Sequence, residues 1–514
     1  MDDSRSLKSS KNLISTFVQK TFNLVLTFAL RTVFIRVFGV EMRGISGLFS
    51  DVLSMLALAD LGFSTTMTYS YYKPVAENDF KKIAALNHFY RKVYLIIAAA
   101  VALIGLSLIP FLKYIVNLER EIDHLYLYYL LTLALTVVSY LFVYKTTVLY
   151  AHQQGYVVVK YNMIMKIISS LAEIVIMLTL KNYTAYLLVE IVFMLGNNLY
   201  ASHIVDKRFP YIKQKGSLSK QEKKNIFSNL GPAFIYKLSW VLINSTDNIL
   251  ISKMIGTVVV GYYSNYFTVV NLISGYVSMA FQSITASIGN LMVKESSEKQ
   301  YKVFEELQVI SAWFCIVIAG CVYALIDEFI IIWLGNDFTL DNLTVIAIGI
   351  NFFMTCISNP IWVFREAAGL YKKTKYSMLI CAVLNIFLSI ALGKLIGLSG
   401  VLFASAIAKL LTCIWYEPII LFRDFFKKKP TNCFLSMSAI ALISVSVSAL
   451  LIFLVNRIAI MGILGFIIKG VVCFVISNLV FVIVFFKNKY LKSVVKRIKN
   501  ILNGFLFRFK RIKK

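Results

Sequence analysis

From Asn12 to Phe486 the chain is a near-continuous series of long apolar runs with only short polar interruptions. A helix that crosses a bilayer needs roughly 20 apolar residues. Inside hydrocarbon every backbone N–H and C=O must find its partner within the protein, so runs of this kind fold as membrane helices. They do not alternate polar and apolar residues, which excludes the strands of a membrane barrel. Hydrophobic residues make up 59% of the 514 and charged residues only 15%, a balance that excludes a soluble globular fold. The runs predict spans near 12–38, 44–72, 92–113, 124–151, 155–180, 182–206, 226–255, 258–291, 303–334, 340–364, 375–397, 400–422, 432–456 and 462–486. The expected fold is therefore an all-α polytopic membrane protein with about 14 transmembrane helices, which leaves no room for a soluble domain. The first, eighth and ninth runs exceed one bilayer thickness and are expected to tilt or project from it.

Net charge is strongly positive, with 53 Lys and Arg against 26 Asp and Glu. In a soluble chain such an excess would point to nucleic acid, but here the basic residues sit between apolar runs, where the matching partner is an anionic membrane surface. Counted over alternate connections from an internal amino terminus, roughly 38 basic residues fall inside and roughly 7 outside, so both termini are expected to be cytoplasmic. The 487–514 tail, KNKYLKSVVKRIKNILNGFLFRFKRIKK, interleaves bases with Leu, Ile and Phe like an amphipathic surface helix, and anionic headgroups are its expected partner. Met1–Lys11 leads into the first run without a small-residue cleavage site, so the first helix is expected to be retained. The seven cysteines lie in or beside apolar runs without paired spacing and read as small core residues. The four histidines are scattered, with no HExxH or CxxC, so no metal site is expected.

The chain also resembles itself. At an offset of 217, Asn12-Leu13 matches Asn229-Leu230, Phe17 matches Phe234, Lys20 matches Lys237, Arg36 matches Lys253, Gly39 matches Gly256 and Gly44 matches Gly261. Lys160-Tyr161 and Met163 echo Lys375-Tyr376 and Met378. This predicts two pseudo-symmetric six-helix lobes plus two C-terminal helices, the lobes related by an axis along the membrane normal. The expected divisions are an N-terminal lobe over 1–206, a basic cytoplasmic linker over 207–225, a C-terminal lobe over 226–426, two added helices over 427–486 and the tail over 487–514.

Charges within spans are costly, at least about 2.5 kcal/mol each at the bilayer centre on insertion scales, and so are functional candidates. Lys20, Asn23, Thr27 and Arg31 are spaced by three and four and form one polar stripe on the first helix. The repeat places Lys237, Trp240, Asn244 and Asn248 on the matching stripe of the seventh, with Asp247 at its edge. Two such stripes would line a central cavity. Lys409 shares a face with Ser405, Thr412 and Tyr416, and Asn351, Thr355, Ser358, Trp362 and Arg365 form a further stripe on the tenth helix. Lys166 and Glu173 either neutralise each other or meet a ligand. Asp60, Glu173, Glu190 and Asp247 either carry a coupling proton or pair with a lysine. Lys145 and Arg36 lie near helix ends, where a long stem lets the charge reach the interface. Roughly eight basic residues against roughly five acids within spans suggest that the cavity prefers an anion, and phosphate oxygens are the usual acceptors for Lys and Arg. Tyr262, Tyr263, Tyr266 and Tyr276 offer flat faces to a sugar ring, or belong to an interfacial belt.

Gly39-x4-Gly44-x2-Gly47-Leu48-Phe49 followed by Leu58-Ala59-Asp60-Leu61-Gly62-Phe63 resembles the opening of bacterial oligosaccharide flippases of the polysaccharide transporter family. Asp247-Asn248-Ile249-Leu250-Ile251-Ser252-Lys253, with Gly256, Gly261, Tyr262, Tyr263 and Ser264, resembles their seventh-to-eighth helix junction. The resemblance implies a member of the multidrug, oligosaccharidyl-lipid and polysaccharide exporter superfamily in a bacterial cytoplasmic membrane. Such a protein moves an undecaprenyl-pyrophosphate-linked oligosaccharide between leaflets by alternating access, for capsule, exopolysaccharide or O-antigen synthesis. It would be a transporter and not an enzyme. It would need no cofactor, would draw on a proton or sodium gradient if coupled, and would work beside other polysaccharide-assembly proteins. Lys20, Arg31 and Lys237 would hold the anionic headgroup, with Lys409, Arg365, Asn23, Asn244 and Asn248 completing the cavity.

Two other transport readings share this topology. A peptidoglycan lipid-precursor flippase carries the same pyrophosphate-lipid charge, although its arginine-rich first lobe is only partly echoed. A cation-coupled multidrug antiporter would favour cavity carboxylates over Lys20 and Arg31. A membrane glycan polymerase would need a catalytic cluster on a large external loop, which the short connections do not supply. Nucleotide-driven export is disfavoured by the lack of a GxxxxGK[ST] loop.

Overall fold

The computed structural model describes residues 2–56, 63–117, 122–214, 216–497 and 499, and within them the chain is almost entirely helical. It divides into two compact units, Met1–Ser264 and Asn265–Lys514. The first unit holds α1 (Asp2–Leu56), α2 (Phe63–Ala76), α3 (Phe80–Ser107), α4 (Leu112–Ile115), α5 (Leu125–Tyr140), α6 (Val143–Ala151), α7 (Gly155–Leu180), α8 (Tyr183–Arg208) and α9 (Lys220–Met254). The unit boundary falls inside α10 (Thr257–Lys294). The second unit continues with α11 (Ser297–Trp313), α12 (Gly320–Leu334), α13 (Asn342–Ala367), α14 (Tyr371–Leu411), α15 (Cys413–Leu421), α16 (Thr431–Val455) and α17 (Gly462–Phe485).

Ten helical stretches among the described residues are long and apolar enough to cross a membrane. One of them, 373–426, is 54 residues long and contains two of the expected spans, broken where Ile396 and Gly397 leave helical geometry. Helices α9 and α10, which cover two further expected spans, are 35 and 38 residues long, or about 50 Å at 1.5 Å per residue. The protein is an all-α, multi-pass membrane protein. The expected run 124–151 is divided by a break between α5 and α6, and α11 joins α12 through a π-helical turn at Phe314–Ala319.

Helix breaks recur at the spacing of the sequence repeat. Gly39 interrupts α1 with φ +86, and Gly256, 217 residues later, separates α9 from α10 with φ +140. Gln153 and Gly369 form a second pair with positive φ and Lys181 and Gly397 a third, each 216 apart. A left-handed residue is costly for any side chain except glycine, so its recurrence at matching positions marks turns of matching construction in the two halves.

Within the first unit α1 packs on α7 and α9, α5 and α7 pack on α8, and α3 packs on α5. Its core includes Phe49, Tyr71, Tyr90, Tyr94 and Tyr129, all fully buried. The core of the second unit is built on Phe304, Phe352, Phe364, Phe422 and Phe426, with α16 and α17 against α12. Six of the seven cysteines are buried.

Helix starts follow local capping chemistry. The Ser219 hydroxyl accepts from Glu222 N while Glu222 accepts from Ser219 N, a reciprocal capping box that opens α9. At the start of α13, Asp341 accepts from Thr344 N at 3.0 Å, from the Thr344 hydroxyl at 2.5 Å and from Ser399 Oγ at 3.1 Å. Partial burial alone would raise the Asp341 pKa, but these donors outweigh it and hold the carboxyl below its ordinary value. A depressed folded-state pKa contributes stability above the unfolded value that is lost as pH falls through the folded one. Asp341→Ala is thus expected to cost about 1 kcal/mol at neutral pH. The gap to wild type should narrow below about pH 4 in thermal unfolding of the detergent-solubilised protein.

Candidate functional site

In the first unit the α1 stripe leads inward. Lys20 is half-buried, Asn23 Oδ1 is buried without a hydrogen bond, and Arg31 is only 6% exposed. Arg31 Nη2 donates to Ser264 Oγ at 2.5 Å, and that hydroxyl donates in turn to the Gly261 carbonyl at 2.8 Å. The contact depends on how closely α1 approaches α10. A Cβ on Gly44 would lie 2.0 Å from Thr257 O, and one on Gly261 would lie 2.3 Å from Val40 O. Glycine at both positions lets the backbones touch and brings the Ser264 hydroxyl within reach of Arg31. Gly44 and Gly261 are also partners in the sequence repeat, so the two copies of that motif meet here.

The α9 stripe is less uniform than its spacing suggests. Lys237 is half-buried and Trp240 is exposed. Asn244 is also exposed, and its amide donates to the Trp240 carbonyl of its own helix at 2.7 Å. One turn further on, Asn248 Nδ2 donates to Asp51 Oδ2 at 2.5 Å and ties α9 to the part of α1 beyond the Gly39 break. Its Oδ1 is buried without a hydrogen bond. Asp51 was not singled out in the sequence, although a carboxylate inside the 44–72 run was signal enough by the rule applied to Asp60.

All four candidate carboxylates fall within 1–264, where Glu173, Glu190 and Asp247 are described and Asp60 is outside the described residues. Glu173, 1% exposed, has Lys166 Nζ 3.9 Å from Oε1. Glu190, on the antiparallel α8, is within electrostatic reach of Glu173, Lys166 and Arg43. Arg43 also lies within reach of Asp51 and Arg31. Two acids and two bases from α1, α7 and α8 therefore form one charge cluster, near neutral when all are ionised. Asp247 is buried and is a neighbour of Tyr263, as is Asp51. The sequence pairing of Lys166 with Glu173 is present, while the contribution of Arg43 depends on how α1 packs.

In the second unit Lys409 and Arg365 are engaged by partners. Arg365 Nη1 meets Glu417 Oε1 at 2.5 Å, with both side chains at most 5% exposed. Lys409 Nζ donates to Asn351 Oδ1 at 3.1 Å, and Asn351 donates to the Leu402 carbonyl at 2.9 Å. Lys409 lines a small cleft together with Glu417, Thr355, Ser358 and Trp362, and Arg365 is linked to it through Glu417. Glu417 had no part in the expected cationic set, and it neutralises Arg365 there.

Two further residues are engaged. Lys145 is held by partners near the end of α8, where Nζ donates to Ser202 Oγ at 2.6 Å and to Asp206 Oδ1 at 2.8 Å, so its charge is paired there. Tyr266 offers no face to a sugar, because it is fully buried, its hydroxyl donates to Asp327 at 2.6 Å and it accepts from Leu340 N at 3.2 Å. Arg36 is exposed.

The sequence pattern of the family described as polysaccharide biosynthesis protein matches residues 9–285. Those residues include the α1 stripe, the Gly44–Gly261 approach, Arg31, Ser264 and the charge cluster. In sequence the chain matches none of the curated proteins. In structure it is similar to a lipid II flippase, MurJ, in an inward closed conformation, with a TM-score of 0.67 and 15% identity over 91% of this chain and 98% of that one. It is also similar to an inward-facing multidrug resistance MATE family transporter of the MOP superfamily, with a TM-score of 0.58 and 14% identity over 77% of this chain and 93% of that one. The outward-facing conformation of such a transporter gives a TM-score of 0.54 and 14% identity over 79% and 93%. At these identities the likeness is one of fold.

Proposed function

The chain belongs to the polysaccharide biosynthesis protein family, and from that we propose that it is a flippase for an undecaprenyl-pyrophosphate-linked oligosaccharide. The observation that carries this reading is the basic stripe inside the matched region, where Lys20 and Lys237 are half-buried and Arg31 is buried on Ser264. A pyrophosphate presents several oxygens that accept charge-assisted hydrogen bonds. In this reading Lys20 and Lys237 supply the charge that holds the headgroup, and Arg31 fixes the α1–α10 contact around it. Asn23 and Asn248 each keep a buried carbonyl oxygen without a hydrogen bond, and these would accept from sugar hydroxyls. The Arg43–Lys166–Glu173–Glu190 cluster would exchange the coupling proton or sodium ion. The protein would act by alternating access in a bacterial cytoplasmic membrane with both termini inside, alongside other polysaccharide-assembly proteins, and would carry out no bond-making chemistry.

The test is translocation of a fluorescent undecaprenyl-pyrophosphate oligosaccharide in proteoliposomes. Wild type is expected to flip it, with Lys20→Ala and Lys237→Ala each slowing transport by roughly tenfold or more, the scale of a charged hydrogen bond worth 1.5–3 kcal/mol. Transport of a peptidoglycan lipid precursor in preference to the oligosaccharide would shift the assignment to that substrate. Movement of a cationic dye down a proton gradient with the glycolipid left in place would overturn the flippase reading.

A further inference from the structure

After α17 ends at Phe485 the chain turns and re-enters helix over 489–497. Asn488 caps this helix by accepting from Tyr490 N at 2.8 Å. One of its faces is docked on the second unit. Tyr490 and Leu491 pack against the core, Val494 is buried, Ser493 Oγ donates to Glu306 Oε1 at 2.6 Å and Arg497 Nε lies 3.0 Å from Glu306 Oε2. Glu306, on α11, is 3% exposed, so two tail residues satisfy a buried carboxylate. The opposite face carries Lys489, Lys492 and Lys496, spaced by three and four and all exposed. On the docked side, Tyr490 is an electrostatic neighbour of Tyr301 of α11, and the Nζ of exposed Lys428 lies 3.9 Å over the Tyr301 ring.

Over 489–497 this differs from the amphipathic surface helix expected for the 487–514 tail, of which residues 498 and 500–514 lie outside the described residues. Such a helix buries its apolar face among lipid chains. Here, over 489–497, most of that face is taken up by protein, and the three lysines are exposed together with Val495 and Arg497. We infer that this docked helix, with Lys428 beside it, is a surface for anionic lipid headgroups that acts through charge alone, and that Glu306 is the latch holding it in register. Lipid is the occupant the geometry favours, because the helix begins within a turn of the end of the last span and so lies at headgroup depth. The inference does not depend on which substrate the protein moves.

A nitroxide on Val495→Cys, an exposed position on the lysine side, tests it in purified full-length protein. The label is read in vesicles of phosphatidylcholine alone and with a third of phosphatidylglycerol, and unsubstituted protein gives the background from native cysteines. Collision with a water-soluble relaxation agent is expected to fall in the anionic vesicles at low salt and to recover at high salt, where charges are screened. Each Lys→Gln change should shift the contact equilibrium by about fivefold, and K489Q/K492Q/K496Q by roughly a hundredfold, which removes the lipid dependence. Glu306→Gln should mobilise the label in neutral vesicles, where the wild-type helix stays held to the protein. Equal accessibility in the two vesicles would overturn the lipid assignment, and so would protection that survives high salt or the triple change. An unchanged label mobility in Glu306→Gln would overturn the latch. The lysines are exposed, so the triple variant stays informative even if Glu306→Gln does not fold.

Discussion

Glu417→Ala is expected to destabilise the protein by about 3–5 kcal/mol, the cost of leaving a buried charge without its partner. Arg365 is 4% exposed and its guanidinium meets Glu417 Oε1 at 2.5 Å. Removing the carboxylate takes away the counter-charge of a buried cation. The paired change Arg365→Met with Glu417→Leu removes both charges and should lie within roughly 1–2 kcal/mol of wild type, since buried pairs are often replaceable by apolar residues of similar volume. Thermal unfolding in detergent measures both. If the paired variant folds but no longer transports, Arg365 and Glu417 serve translocation as well as packing. If it folds and transports normally, the pair is structural and Arg365 leaves the list of headgroup ligands.

Gly44→Ala is expected to have an effect of similar size for a different reason. The new Cβ would sit 2.0 Å from Thr257 O, a backbone atom that cannot rotate away, so α1 and α10 must separate. Overpacking of this kind costs about 3 kcal/mol, at the upper end of what inserted methyl groups usually do. It should also weaken the Arg31–Ser264 bond, which depends on the same approach. Gly47→Ala is the control. Nothing lies within 4 Å of a Cβ there, and replacing a helical glycine is worth up to about 1 kcal/mol in helix propensity. The two variants should therefore move the unfolding midpoint in opposite directions. Equal, small shifts would show that the helices do not meet as closely as the glycines indicate.

The stripe from Lys20 to Arg31 was legible because helical periodicity is a local property, and the Gly39–Gly256 correspondence appeared in the sequence before it appeared as paired left-handed breaks. The partners of the charges were not legible. Arg365 lies 52 residues from Glu417, Lys145 lies 61 from Asp206, and Asn248 lies 197 from Asp51. A rule based on span position flags each of these charges but cannot say whether it meets a ligand, the interface or another side chain. Glu306 was missed altogether because it lies near the polar start of the 303–334 run, where a carboxylate attracts no attention until the tail is found against it.

The amino-acid sequence alone determined that this chain is a bundle of membrane helices with an internal repeat and a basic tail. The spans and the tail are read within one turn or one span, because hydrocarbon obliges every segment to satisfy its own backbone, and the repeat is read by aligning such local patterns 217 residues apart. Tertiary structure alone decided which charges neutralise each other, how Gly44 and Gly261 bring Arg31 to Ser264, and which face of the tail helix is left exposed. Those outcomes depend on which helix faces meet, and side chains tens to hundreds of residues apart are brought together only by packing.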